Sequence, residues 1–232
     1  MSRWSKLYEE EINRTTVDNY ILEKLKTKKK IIKLINKYAD HHKVMELGAG
    51  TGILAIYLST LNHQVIAIDK DKDMITLSKK YFLDKFKNTN IHYICSDIRS
   101  MSNTKQFDII YSIGILEHYS DSEIIELIHK QISMCNTVIF GIPTKYFDEN
   151  KKMYGNERYL PIKYWRKLIK QSGCEIIEES SYHYLNIFQR LWNPKKYFKP
   201  NPVHIFCIKK IKEGYYGMDT WPIKSNSKKW YQ

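Results

Sequence analysis

Val44-Met45-Glu46-Leu47-Gly48-Ala49-Gly50-Thr51-Gly52 is the stretch that decides the fold. An apolar run of buried-strand character ends in an acidic residue, three glycines recur at every second position, and residues 53–61 then read as a helix. Glycines at a strand-to-helix turn allow positive φ and remove Cβ atoms, so a ligand can lie against the backbone. The helix behind such a turn presents free N–H groups. The spacing is E-x-G-x-G-x-G, neither the G-x-G-x-x-G of dinucleotide binders nor a Walker loop with its Lys-Ser/Thr pair. It moves the expected ligand away from a pyrophosphate and toward a nucleoside.

Outward from this turn, strand and helix patterns alternate. Strands are predicted over 43–47, 64–69, 91–95, 107–112, 137–142, 174–180 and 203–209. Helices are predicted over 53–61, 72–86, from Asp121 (as N-cap) to about Met134, and from Pro161 to Gln171 with Gly173 as terminator. Residues 17–38 carry apolar positions for one or two amphipathic helices. This order predicts a doubly wound α/β fold, a sheet with helices on both faces. In such sheets a ligand sits beyond the carboxyl ends of the strands. The chain divides into an N-terminal helical cap (1–40), the α/β domain (41–212) with insertions near 144–160 and 182–202, and an extended tail (213–232).

Composition sets the outer bounds. A chain of 232 residues that is 43% hydrophobic can bury a substantial core. No apolar run approaches membrane-spanning length, and the polar first residues predict no signal peptide. Cys95, Cys135, Cys174 and Cys207 are scattered, so neither a zinc site nor a disulfide framework is expected. A cytoplasmic protein is expected. The formal charge of +13 is nearly all lysine in an isoleucine-, asparagine- and tyrosine-rich chain. It is read first as solvated surface and second as attraction to a polyanion.

Chemistry-bearing residues line up at successive strand ends. Glu46, Gly48, Gly50 and Gly52 follow the first strand. Asp69 ends the second, where a carboxylate can accept from two ribose hydroxyls. Ser96-Asp97-Ile98 follows the third, where a carboxylate can accept from an exocyclic amine. Phe107 to Gly114 forms the fourth strand and its exit. Asp69 and Asp97 could also be plain turn residues, and Asp108 is read as a structural opening to its strand.

The motifs V-M-E-L-G-A-G-T-G, V-I-A-I-D, S-D-I and F-D-I-I-Y-S-I-G-I-L-E-H, in that order and spacing, resemble the class I S-adenosylmethionine-dependent methyltransferases over residues 40–142. The resemblance implies a seven-stranded Rossmann-like sheet whose last strand, 203–209, is antiparallel. It implies S-adenosyl-L-methionine as cofactor and S-adenosyl-L-homocysteine as its product, with no metal. It places Glu46, Gly48 and Gly50 at the methionine part, Asp69 at the ribose and Lys70 near the adenine. Asp97 and Ile98 frame the adenine, and Ser112 and Ile113 contact the cofactor from beneath. Trp4, Tyr8 and Arg14 are placed to close over the cofactor carboxylate.

Glu117-His118-Tyr119 follows the fourth strand on the side where a methyl acceptor approaches. Similarity to small-molecule branches of the family places His118 near the transferred methyl, where it could take the acceptor's proton. The competing reading has Glu117 and His118 only positioning the loop. Tyr111-Ser112-Ile113-Gly114 replaces the Asn/Asp-Pro-Pro-Tyr/Phe of adenine and glutamine amino-methylation, and no Pro-Cys supports cytosine C5 chemistry. The cyclopropane fatty-acid synthase branch, which S-I-G-I-L-E-H also resembles, ranks low. The expected reaction is methyl transfer to an oxygen or nitrogen of a small metabolite, a natural product or a modified peptide, with no membrane partner. An RNA methyltransferase is the alternative, favoured by charge and aromatic content. A non-catalytic cofactor-binding subunit is a third, against which the intact glycines, Asp69 and Asp97 weigh.

Overall fold

The computed structural model describes residues 1–101, 106–144, 156–182 and 203–211. The expected insertions and tail lie largely or wholly outside these residues. Within them, the chain runs α1 (Arg3–Asn13), α2 (Val17–Tyr38), β1 (Lys43–Leu47), α3 (Ile53–Thr60), β2 (Gln64–Asp69), α4 (Lys72–Tyr81) and β3 (Ile91–Cys95). It continues through β4 (Phe107–Ile113), α5 (Asp121–Met134), β5 (Cys135–Pro143), α6 (Ile162–Gln171), β6 (Cys174–Tyr182) and β7 (Val203–Lys210).

The strands form one seven-stranded sheet in the order β3-β2-β1-β4-β5-β7-β6. β1 to β5 pair in parallel, and β7 runs antiparallel between β5 and β6, as expected. Strand order reverses at β1, which has β2 on one side and β4 on the other, so the glycine turn leaves the sheet at its topological switch point.

Alternation along β1 sends Val44 to one face and Met45 and Leu47 to the other. On the first face Ile31, Leu34 and Ile35 of α2 and Leu54, Ala55 and Leu58 of α3 pack over Val44, Val65, Ala67, Ile109 and Ile139. On the second, Ile124, Leu127 and Ile128 of α5 and Trp165 and Leu168 of α6 cover Met45, Ile110, Val138 and Phe206. A third cluster, with Ile12, Tyr20, Ile21, Ile56, Leu77 and Phe82, ties α1 and the start of α2 to α3 and α4. Hydrogen bonds from Ser2 N–H to Asp73 (2.5 Å) and from Tyr81 to Glu9 (2.6 Å) hold α1 against α4.

Several local expectations shift. Residues 17–38 form one continuous helix, because nothing in that stretch breaks the backbone. The helix predicted over 72–86 ends at Tyr81, and a short 3-10 turn (Leu83–Lys85) follows; Phe82 leaves helical geometry and is fully buried. Asp121 does not cap α5. Ser120 does, accepting from Glu123 N–H while the Glu123 carboxylate returns to Ser120 N–H at 2.8 Å, a reciprocal capping box that outcompetes the neighbouring aspartate. Asp108 fastens the far end of the sheet, accepting from the N–H groups of His41 (3.0 Å) and Lys43 (2.9 Å).

Candidate active site

Gly48, Gly50 and Gly52 all take positive φ, at 65°, 54° and 66°. The turn they make exposes its backbone and starts α3. At Gly48 a Cβ would sit 2.1 Å from Ile115 Cδ1, whereas at Gly50 the space is open apart from Gly48 O at 4.0 Å. The first glycine thus admits a packed side chain from the β4 exit loop, and the second leaves bare backbone for a ligand.

Glu46 lies on the α2/α3 face, register-paired with Ala67 of β2 and Tyr111 of β4. It is 5% exposed, and its Oε2 has no hydrogen-bond partner among the described residues. Burial pushes its carboxyl up to about 8, opposed by the Tyr111 hydroxyl, the Lys28 ammonium and the Ala55 N–H. A buried carboxyl oxygen such as Oε2, without a donor among the described residues, has room to accept one.

A cavity of about 920 Å³ opens beside this turn. Its walls bring together Glu46, Gly48 and Gly50, the β4 exit residues Ile113, Gly114, Glu117 and His118, and the β5 end at Ile142 and Pro143. Trp4, Tyr8 and Arg14 of the N-terminal segment also line it. Lys28 of α2 lines it as well, its Nζ donating to the Tyr182 hydroxyl at 3.2 Å while its charge bears on Glu46. Sequence reading missed Lys28, because it lies in a lysine run far ahead of the turn and only the packing of α2 brings it here.

Other predicted residues stand elsewhere. Asp69 does not line the cavity; it accepts from Gly50 N–H at 2.8 Å and Asp71 N–H at 2.9 Å, and burial raises its pKa. Lys70 follows it on the exposed surface. Asp97 forms a two-point pair with Arg99, at 3.0 and 2.7 Å, whose hydrogen bonds hold its carboxyl down to about 2. Ile98 is buried in the core. Ser112 is buried on the opposite sheet face from Glu46, its hydroxyl without a partner among the described residues and its register partners being Leu47 and Phe140. Of the β4-end pair, Ile113 alone reaches the cavity.

The Glu117–His118 loop is held by the segment that precedes α6. Asn156 Oδ1 lies 2.9 Å from His118 Nδ1, and Arg158 N–H donates to the Glu117 carbonyl at 2.9 Å. The Arg158 guanidinium reaches the Tyr119 carbonyl (2.7 Å) and Asp121 (2.6 Å), and Tyr164 also donates to Asp121. With an amide oxygen as its partner, Nδ1 carries the proton and Nε2 is the basic nitrogen of the ring. Glu117 is 3% exposed, its Oε2 has no partner among the described residues, and burial pushes its carboxyl up to about 8. Among the described residues no three His, Cys, Asp or Glu side chains converge as a metal site would need.

Residues 44–136 match the family model described as a methyltransferase domain. Over this stretch, and in its fold, the chain is similar to the class I methyltransferases. Its methyltransferase domain is similar to that of the ubiquinone biosynthesis O-methyltransferase of Hydrogenovibrio crunogenus, 26% identical over 103 residues, which are 44% of this chain and 43% of that protein. It is also similar to the ribosomal RNA small subunit methyltransferase A of Wigglesworthia glossinidia brevipalpis, 40% identical over 92 residues, 38% of this chain and 32% of that one. The chain thus spans less than half the length of these relatives. Among solved structures, an S-adenosylmethionine-dependent methyltransferase from Clostridium acetobutylicum superposes with a TM-score of 0.61 at 14% identity, covering 80% of this chain and 91% of that one. Magnesium protoporphyrin IX methyltransferase from Synechocystis PCC 6803, with bound S-adenosyl-L-homocysteine, superposes with the same TM-score and identity over 82% and 84%. At such identities the likeness is one of fold.

Proposed function

We propose that this chain is an enzyme that transfers a methyl group from S-adenosyl-L-methionine to an oxygen or nitrogen of a small metabolite, natural product or modified peptide. The carrying observation is the continuity of one cavity from the glycine turn to the Glu117–His118 loop. The residues present fit the cofactor. Gly50 leaves open backbone, Glu46 offers a buried carboxyl oxygen without a donor, and Lys28 offers a cation on the α2 wall. Glu46 would take the amino group and Lys28 the carboxylate of the methionine part, a zwitterion matched by opposite charges. Asp69, at the end of β2, would face the ribose. Asp97, Ile98 and Lys70 would frame the base, with the Asp97–Arg99 pair opening to free one carboxylate oxygen.

The cofactor supplies a methyl group made electrophilic by its positive sulfur. The chain's own part is alignment and exclusion of water. Trp4, Tyr8 and Tyr159 wall the cavity with aromatic surface. His118, oriented by Asn156, is the group placed to receive the acceptor's proton. The name of the Hydrogenovibrio relative, an O-methyltransferase of a biosynthetic intermediate, supports a small acceptor. Among the described residues no helix is long and apolar enough to cross a membrane.

The local likeness to a ribosomal RNA methyltransferase and the +13 charge favour RNA as a second reading. Incubation with methyl-labelled S-adenosyl-L-methionine and separate pools of small molecules, peptides and total RNA tests the choice. Label in the small-molecule or peptide pool is expected. Label confined to RNA, abolished by moderate salt, would establish the second reading instead.

A further inference from the structure

Charge is divided across the cavity. Its α1–α2 wall carries Arg14, Lys24, Lys26 and Lys28 with Glu11 and Glu23 among them, Lys24 being paired to Glu11 at 3.1 Å, while the wall beyond β4 carries Glu117 and Glu157 with no lysine or arginine among its described lining residues. Glu117 is 3% exposed, and among the described residues its Oε2 has neither a donor nor solvent. The charge that bears on it from Glu157 has its own sign. Glu117, buried and short of a donor among the described residues, costs free energy in the empty protein. That cost is offset when a ligand brings a positively charged donor. Tyr159, two residues beyond Glu157 in the same lining segment, adds aromatic surface that favours the same kind of ligand, since ring quadrupoles attract cations.

We propose that the acceptor is an amine, bound as its ammonium form by Glu117 with Glu157 beside it, and methylated on nitrogen. The inference rests on the cofactor reading above and narrows its acceptor from oxygen or nitrogen to a cationic nitrogen. His118 adjoins Glu117 on the same loop, and Asn156 fixes its Nδ1. The ammonium gives one proton to the His118 imidazole, and the freed nitrogen lone pair forms a bond to the methyl carbon. The carbon–sulfur bond breaks with its electron pair remaining on sulfur, and the product amine leaves as its own protonated form. Glu117 acts before this step, by selecting and holding the cation.

Calorimetry with the protein saturated in S-adenosyl-L-homocysteine tests the proposal, with phenethylamine and 2-phenylethanol as probes matched in shape and differing in charge. Phenethylamine is expected to bind at least about tenfold more tightly, a preference of about 1.4 kcal/mol. Glu117→Gln should remove most of that preference while leaving S-adenosyl-L-homocysteine affinity unchanged, and Glu157→Gln should reduce it. Equal binding of the two probes, binding of the alcohol alone, or no binding of either to the loaded protein would overturn the amine assignment. So would a preference that survives both substitutions. Failure of the product cofactor itself to bind would strike the cofactor reading instead, so the two failures are distinct. Should Glu117→Gln not fold, the Glu157→Gln variant still decides.

Discussion

The Gly50 N–H donates to Asp69 Oδ2 at 2.8 Å, so the turn after β1 is tied to the carboxylate that ends β2. One hydrogen bond joins the bare backbone where the methionine part would lie to the group proposed for the ribose. Replacing Asp69 with alanine removes both the tie and the ribose acceptor. The expected loss in S-adenosyl-L-homocysteine affinity is about 1–3 kcal/mol, the range for a hydrogen-bonded charged group. Titration calorimetry measures it, and an affinity equal to wild type would remove Asp69 from the site.

Gly48 and Gly50 should respond differently to alanine. Both pay for a left-handed backbone, about 1–2 kcal/mol. At Gly48 the new methyl also collides with Ile115 Cδ1 at 2.1 Å, while at Gly50 it projects into open space. Thermal melts should therefore show Gly48→Ala as the less stable variant. Gly50→Ala should fold yet bind the cofactor poorly. Equal melting temperatures with equal binding would contradict the division of roles.

Glu46 and Glu117 make the empty protein sensitive to pH. Each carboxyl has an ordinary value of 4.5 and is raised to about 8 in the fold by burial. Below about 4.5 both folded and unfolded chains hold these protons, and the stabilising contribution is complete. As pH rises from about 4.5 to about 8 the unfolded chain gives them up first, so stability falls. Urea melts across that window should show the decline, shallower in Glu46→Gln. Cofactor binding should also expel a proton from Glu46 near pH 7, as the ligand's ammonium stabilises the carboxylate. Binding enthalpies in buffers of different ionisation heat will report it, and a Glu46→Gln variant with the same proton release would refute the pairing.

Asn156 acts through His118. Its Oδ1, 2.9 Å from Nδ1, fixes the ring, and in the proposed reaction Nε2 is the base. Asn156→Ala should lower kcat by about tenfold or more, within the range for a positioned acid or base. The KM for the cofactor should hardly change, and the acidic limb of the kcat profile should shift. A merely structural role would instead move stability with no change in the pH profile.

Much of this was legible because the sheet is nearly continuous in its signals. β1, β2 and β3 match their expected residues since each is an apolar run cut off by a polar or glycine-rich exit. The α5 cap was misjudged by one residue because Ser120, Asp121 and Ser122 are all competent N-caps, and the return bond from Glu123 decides among them. The Asp97–Arg99 pair lay two residues apart in plain view, yet a sequence does not say that the arginine folds back. Lys28, Asn156 and Arg158 were illegible for another reason. Each acts on a residue far away in the chain: only the packing of α2 over the sheet brings Lys28 to the cavity, and only that of residues 156–160 against the β4 exit brings Asn156 and Arg158 to the Glu117–His118 loop.

Titration of the purified chain with S-adenosyl-L-homocysteine and S-adenosyl-L-methionine tests the central claim most directly. The account predicts saturable one-to-one binding that weakens in both Asp69→Ala and Gly50→Ala. No heat of binding at millimolar ligand, from protein shown to be folded, would contradict it.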